Sequence, residues 1–148
     1  MSYSYLDRVR SSSTLEAPSL SHRVFRWVIG VLLIGHGLTH AMGPVQIWGI
    51  ADIQGLSGET ALAASNTAVQ ALALTWVGAM IVLVAAGVGA LSGRSWWRRV
   101  ALAGAILSQL VIAVWWSDAA TGTLPNIIIA VAVTLADRFG PDPDTEYV

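Results

Sequence analysis

Four long apolar segments alternate with shorter polar segments along this chain of 148 residues. The apolar segments cover about residues 23–43, 68–91, 97–116 and 123–137. A helix needs about 20 mostly apolar residues to cross a bilayer, so each segment is predicted to be a membrane span, the fourth one short. The pattern therefore predicts an all-α polytopic membrane protein, built as a four-transmembrane-helix bundle.

The segments that flank and join the spans are polar. Residues 1–22 are serine-rich and lack apolar periodicity, which is typical of a disordered tail, and residues 140–148 form a second, acidic tail. Pro44 is predicted to end the first span. A capping box of Thr67 and Gln70 is predicted to begin the second span. The connection between these two spans is the one long connection, and Trp48 is predicted to anchor it at the membrane interface.

Arginine placement predicts the orientation. The chain has no lysine, and all eight arginines fall before span one, between spans two and three, or after span four. In a four-span protein these segments lie on one side of the membrane. Because positive charge is retained in the cytoplasm, both termini are predicted to be cytoplasmic, in the plasma membrane of a prokaryote. Tryptophans mark both interfaces in this scheme: Trp96 and Trp97 on the cytoplasmic side, and Trp115 and Trp116 outside.

Composition narrows the classes of function. The chain is 55% hydrophobic and 11% charged, whereas soluble domains carry about 25% charged residues. The net charge of −1 gives no basis for nucleic-acid binding, and the lack of cysteine excludes disulfides and thiolate metal sites. The predicted partners are the lipid bilayer and either another membrane protein or further copies of the chain.

A few polar residues interrupt the predicted spans. Counting about 1.5 Å per residue from the cytoplasmic ends places His36, Gln109 and Asn126 at one depth, roughly 15 Å, near the midplane. His40 falls near 21 Å, and Asp118 near 28 Å at the outer interface. The cytoplasmic half of every span is almost wholly apolar, so the polar groups are predicted to face the bundle interior and to open outward.

Two interpretations of this set remain open. Imidazole and amide groups can hydrogen-bond across helices and fix the register of the bundle. Alternatively, they line an outward-facing pocket whose ligand-binding residues are His36, His40, Gln109, Asp118 and Asn126. A quinone or a metal ion is the cofactor expected in such a pocket, and the sequence requires neither.

The histidine pair is the candidate metal site. His36 and His40 are one helical turn apart and so lie on one face, as in helical metal sites. A zinc or copper site needs a third or fourth ligand, and Asp118 and Asn126 are the evident candidates. An HxxxH spacing alone is weak evidence for a metal site. No residue of the chain is predicted to be catalytic.

The first span, with Gly35-His36-Gly37 in GHGLTHAMG, resembles small four-helix membrane proteins of the DoxX-like kind. The segment SQLVIAVWWSDAATGTLPN is similar to uncharacterised four-span prokaryotic proteins. The resemblance implies a four-helix fold and an association with quinone-linked respiratory complexes. The lysine common near the end of the first span of that group is absent here.

Two functions follow as expectations. The first is an accessory or structural membrane subunit with an outward-facing polar pocket. The second is a quinone- or metal-binding subunit of a membrane oxidoreductase. A transporter would need a polar route through the apolar cytoplasmic half, which the sequence lacks.

Overall fold

The first apolar segment forms two helices. The computed structural model describes residues 20–139, so most of both predicted tails lies outside the described residues. Helix α1, Leu20–Thr39, is followed after a two-residue turn by the short helix α2, Met42–Ile47. Pro44 does not end the span as predicted. It lies in the first turn of α2, where a missing N–H costs little because that N–H has no helical partner.

The second apolar segment also has a break near its beginning. Helix α3, Asn66–Leu72, is separated by one residue from helix α4, Leu74–Leu91. The predicted capping box is wrong in its position, since Ser65 is the N-cap and its hydroxyl accepts a hydrogen bond from the Ala68 N–H at 3.3 Å. The turn after α4 contains Gly93 with a φ of 70°, a left-handed conformation that glycine adopts without strain.

The third and fourth segments are joined by a nearly helical connection. Helix α5, Trp97–Val114, is followed by the single turn α6, Trp116–Ala119. A short 3₁₀ helix, Ala120–Gly122, then leads into α7, Thr123–Phe139. Trp115 breaks the helix with φ −113° and ψ 49°, and its side chain is thereby directed into the bundle, where it is 1% exposed.

Helix α4 is at the centre of the bundle and packs against both α1 and α5, while α7 packs mainly against α5. Helices α1 and α4 approach each other closely at Gly30 and Gly87. A Cβ atom added to Gly87 would lie 2.7 Å from the Gly30 carbonyl oxygen and 2.6 Å from Cγ1 of Ile34. Small residues at such crossings allow helices in lipid to gain van der Waals contact.

The four predicted spans are confirmed as four helical segments long and apolar enough to cross a membrane. They are Leu20–Ile47, Asn66–Leu91, Trp97–Val114 and Trp116–Ala136. Many of their large apolar side chains face outward, as lipid contact requires, among them Val28, Ile81, Ile106, Leu110 and Ile128. The chain is a multi-pass membrane protein with an all-α, four-helix bundle fold.

The two ends of the bundle differ. The arginine end carries the start of α1 and the turn between α4 and α5, with Arg23, Arg26, Arg94, Arg98 and Arg99. The loop end carries α2, α6 and the irregular connection of residues 48–65. Trp48 is 40% exposed there, and its indole N–H donates to the Gln70 carbonyl at 3.0 Å, which holds this connection to α3.

Candidate functional site

Five polar side chains meet inside the bundle between its middle and the loop end, and we call them the polar cluster. They are His36, His40, Ser108, Gln109 and Asn126. Four of them are buried, and Gln109 is half-buried. Since α1, α5 and α7 each contribute, the polar cluster joins three of the four spans.

The end of α1 places the two histidines. His36 and His40 lie one turn apart with their rings edge to face, the ring centroids 4.9 Å apart. The His40 backbone N–H bonds to the Gly37 carbonyl at 3.1 Å. The His36 carbonyl accepts instead from His40 Nδ1 at 3.0 Å and from the Thr39 hydroxyl at 2.7 Å. The end of the helix thus fixes the orientation of the His40 ring.

Ser108 of α5 is the point on which the other side chains converge. Its hydroxyl oxygen lies 2.9 Å from His40 Nε2 and 3.3 Å from His36 Nε2. It also accepts a hydrogen bond from Asn126 Nδ2 at 3.0 Å. This one oxygen therefore contacts both histidines and the asparagine of α7.

Asn126 of α7 completes the cluster. Its Oδ1 lies 2.9 Å from His36 Nε2, and its Nδ2 donates to Gln109 Oε1 at 3.2 Å. Gln109 in turn donates through Nε2 to the Thr123 hydroxyl at 3.2 Å. Asn126 thus makes hydrogen bonds to α1 and, twice, to α5, so it connects three helices at one level.

The acceptor-only oxygens set the direction of donation. Because a carbonyl oxygen can only accept, His40 Nδ1 carries the hydrogen that binds the His36 carbonyl. With one N–H per ring, His40 Nε2 then accepts from the Ser108 hydroxyl. His36 Nε2 donates to Asn126 Oδ1 for the same reason. The single hydrogen on His36 Nε2 is then shared between Asn126 Oδ1 at 2.9 Å and the Ser108 oxygen at 3.3 Å, and the longer contact is the weaker one.

The structure brings together four of the five predicted ligand-binding residues and adds one that the sequence analysis did not select. Ser108 belongs to a run of small residues on α5, with Ala101, Gly104 and Ala105, and such a run is typical of close helix packing. Ser108 is adjacent to Gln109, so its counted depth in the membrane is nearly that of His36. This shared depth is the sequence signal that it could contact the cluster.

Asp118, the fifth predicted residue, makes its hydrogen bonds elsewhere. Its Oδ1 accepts from the Ser57 N–H at 3.1 Å and the Ser57 hydroxyl at 2.9 Å, and its Oδ2 accepts from the Gly58 N–H at 2.7 Å. Within residues 20–139 no hydrogen bond joins it to the polar cluster. We call these three bonds the Asp118 clasp, since they hold the 48–65 connection against α6.

Between the clasp and the polar cluster lies a row of aromatic rings. The ring centroids of His40 and Trp76 are 5.5 Å apart, and those of Trp76 and Trp115 are 5.6 Å apart. Trp115 is buried, so the prediction that it belongs to an interfacial belt is wrong, whereas its neighbour Trp116 is 55% exposed. At the arginine end Trp97 is likewise buried, at 3% exposed, and was wrongly predicted to lie at the interface, whereas its neighbour Trp96 is 45% exposed.

The metal-binding capacity of the site is limited. The two histidine Nε2 atoms approach the same Ser108 oxygen, but serine and asparagine side chains are weak ligands for zinc or copper. Among the described residues no group of three or more His, Cys, Asp or Glu side chains is placed to hold a metal ion. Asp118, the predicted third ligand, is bonded to the loop instead.

Comparison with known proteins identifies no family for this chain. No protein-family model matches the chain, and neither a curated protein nor a solved structure matches it. The resemblance to DoxX-like proteins therefore has no support from these comparisons. What the structure shows is the coarser class, a small membrane protein with four spans.

Proposed function

We propose that this protein is an accessory or structural subunit of the membrane, in which the polar cluster sets the relative positions of the helices. The observation that supports this proposal is that His36, His40, Ser108 and Asn126 are hydrogen-bonded to one another inside the bundle. Amide, hydroxyl and imidazole groups that are paired in this way fix helix register. A ligand would have to replace bonds that the protein already makes.

The distribution of arginine supports an orientation for this subunit. All eight arginines lie in segments that a four-span chain places on one side, and positive charge is retained in the cytoplasm. Both termini are therefore cytoplasmic in this proposal, and the polar cluster lies toward the outer face of a prokaryotic plasma membrane. Reporter fusions after residues 55 and 120 should be external, and a fusion after residue 94 internal. An external fusion after residue 94 would contradict this orientation.

A second candidate, a metal-binding subunit of a membrane oxidoreductase, is favoured by one observation. The Nε2 atoms of His36 and His40 lie 3.3 and 2.9 Å from the same oxygen, so the two imidazoles converge as metal ligands do. Against this, the hydrogen of His36 Nε2 is donated to Asn126 and would have to be lost to a metal. The structural role requires no such rearrangement.

A quinone is less well accommodated. The cavity at the loop end is lined by eight residues, and neither histidine is among them. The free volume of this cavity is about 10 Å³, far less than a quinone ring needs. A quinone would therefore require the 48–65 connection to move.

Metal content and thermal stability of the same variants separate the two candidates. Purified protein in mild detergent should contain no stoichiometric metal and no visible absorption band. His36→Ala and His40→Ala should each lower the melting temperature, because the remaining partners lose a hydrogen bond inside the bundle. One metal ion per chain that both variants lose, at an unchanged melting temperature of the metal-free protein, would instead establish the metal site.

A further inference from the structure

The arginine end of the bundle carries a concentrated positive charge. Two arginines lie at the start of α1, one in the turn between α4 and α5, and one in the first turn of α5. We call these four the arginine patch: Arg23, Arg26, Arg94 and Arg99. Arg98 is half-buried beside the Trp97 ring and is not counted in it. Among residues 20–136 every carboxylate belongs to the loop end, so none of them neutralises the patch.

The bundle fixes the position of Arg26 within the arginine patch. Arg26 Nε donates to the Ala90 carbonyl, in the last turn of α4, at 3.2 Å. Its guanidinium lies against the turn that follows, because a Cβ atom added to Gly93 would be 3.1 Å from Cζ of Arg26. The next residue in this turn is the exposed Arg94. Helix α1 and the turn therefore bring two arginines to one place, and the bond of Nε leaves the Nη groups of Arg26 for a further acceptor.

Exposed apolar side chains directly adjoin the arginine patch on the membrane side. Trp27, the residue after Arg26, is 58% exposed, and Val88, near the end of α4, is 51% exposed. Trp96, at the start of α5, is 45% exposed. Exposed indoles at the ends of spans are typical of the headgroup region of a bilayer. The arginine patch therefore lies at the depth of lipid headgroups, beside a surface that acyl chains cover.

The chemistry of this surface favours one class of ligand. A phosphate group matches guanidinium groups, because its oxygens accept charge-assisted hydrogen bonds from their N–H groups. A free phosphate ion would leave the adjoining apolar surface unused, whereas a phospholipid supplies acyl chains for it. A zwitterionic phospholipid carries its own positive group, so it compensates the arginines less well than a lipid of net negative charge. Groups of four or more basic residues beside a span are typical of anionic-lipid binding.

We propose that the arginine patch binds the headgroup of an anionic phospholipid, whose phosphate accepts hydrogen bonds from Arg26 and Arg94. Arg23 and Arg99 add positive charge on either side, and the acyl chains lie along the exposed apolar surface of the spans. Such a lipid joins the start of α1 to the turn between α4 and α5. This proposal does not depend on the function or the orientation proposed above.

Native mass spectrometry of the full chain in detergent tests the proposal. The protein is titrated with phosphatidylglycerol and, separately, with phosphatidylcholine of the same acyl chains. We expect the first phosphatidylglycerol to bind about 25-fold more tightly, or about fivefold for each arginine that contacts the phosphate. The double variant of Arg26→Gln and Arg94→Gln should bind phosphatidylglycerol about 25-fold more weakly and phosphatidylcholine with little change. Equal affinity of the wild-type protein for the two lipids would overturn the proposal.

A matched control separates the arginine patch from the overall charge of the protein. The double variant of Gln54→Glu and Gln70→Glu lowers the net charge by the same two units, at exposed positions of the loop end. It should retain the preference for phosphatidylglycerol, and a loss equal to that of the arginine variant would show that overall charge alone selects the lipid. Should the arginine variant fail to fold, Arg94→Gln with Arg99→Gln removes two exposed members of the patch. A preference that this variant retains in full would also refute the site.

Two further measurements distinguish other occupants. Inorganic phosphate alone is added to the lipid-free protein, and a bound phosphate that the arginine variant loses would show a site for a free anion instead. The chain's own acidic tail is the other rival. If the full chain prefers phosphatidylglycerol only after Asp142→Asn, Asp144→Asn and Glu146→Gln are combined, the tail occupies the arginine patch and the proposal is wrong.

Discussion

The two halves of the bundle are held together by different interactions. The half toward the arginine end is built mainly from apolar contacts, beside one hydrogen bond from Arg26 Nε to the Ala90 carbonyl at 3.2 Å. Its buried residues include Ile29, Leu33, Leu83, Ala86, Ala90, Trp97, Ala101, Ala105, Ile129 and Val133. The half toward the loop end contains the polar cluster and the two buried indoles. Both halves belong to the same four spans, so they lie in series along the membrane normal.

The difference shows what each half contributes. In lipid there is no hydrophobic force between helices, because lipid chains are as apolar as leucine. The apolar half therefore depends on close approach, as at Gly30 and Gly87, where van der Waals contact is greatest. Such contacts bring helices together but discriminate weakly between neighbouring registers. Hydrogen bonds between His36, Ser108 and Asn126 have fixed partners, so they select one register.

The largest effect is expected from a side chain added in the apolar half. In Gly87→Ala the new Cβ would lie 2.7 Å from a backbone oxygen of α1, so the helices must separate. We expect a loss of about 2 kcal/mol in the free energy of unfolding, which overpacking typically costs. Reversible unfolding in mixed micelles measures this loss.

Gly35→Ala is the matched control on α1, because a Cβ there has no neighbour within 4 Å. This variant should be neutral or more stable by up to about 1 kcal/mol, since alanine favours the helix more than glycine does. If both variants had the same stability, close approach at Gly87 would not be what holds α1 and α4 together.

A smaller loss is expected from removal of the central hydrogen bonds of the polar cluster. Asn126→Leu keeps the branched shape of the side chain but deletes its hydrogen bonds to His36, Ser108 and Gln109, so these groups lose a partner inside the bundle. We expect a loss of about 1–2 kcal/mol, the usual range for interhelical hydrogen bonds in membranes. Thr134→Val on the same helix is the control, because Thr134 is exposed and bonds only to the Ala130 carbonyl.

A double-mutant cycle between His36→Ala and Asn126→Ala measures the coupling inside the polar cluster. The side chains are in direct contact at 2.9 Å, so the double variant should lose less stability than the sum of the single variants, with a coupling of about 0.5–2 kcal/mol. A cycle between Asn126→Ala and Gly87→Ala, which lie in different halves, should be additive within about 0.5 kcal/mol. Strong coupling there would show that the halves do not act independently.

Much of the fold could be predicted because lipid imposes simple rules on sequence. Apolar length predicted four spans, and the arginines grouped at the predicted turns. The residues at which the helices begin and end were harder to predict. Pro44 is an ordinary helix breaker by sequence, yet it lies inside α2, because α1 ends earlier through the bonds of His40 and Thr39 to the His36 carbonyl. Ends fixed by side chains of this kind depend on their surroundings.

The candidate site was predictable in part for a similar reason. Polar groups in a span have to find partners, so counted depth brought His36, Gln109 and Asn126 together. Depth does not give direction around the helix axis, and this is why Trp115 was expected at the surface. Asp118 could not be assigned from sequence, since its partners Ser57 and Gly58 belong to an irregular connection. Loop geometry has no period from which contacts can be counted.

The smallest effect is expected outside both halves, at the Asp118 clasp. Asp118→Asn removes the charge that accepts three hydrogen bonds from Ser57 and Gly58, and places an NH₂ group near these donors. Because the clasp is partly exposed, we expect a cost of about 1 kcal/mol, or roughly a fivefold increase in local opening of the 48–65 connection. Thermolysin cleavage of this connection in detergent should accelerate by that factor, while the melting temperature of the bundle stays unchanged. Glu59→Gln is the control, since it removes an exposed carboxylate from the same connection. A melting temperature that falls with Asp118→Asn as far as with Asn126→Leu would show that the clasp belongs to the cooperative unit of the bundle.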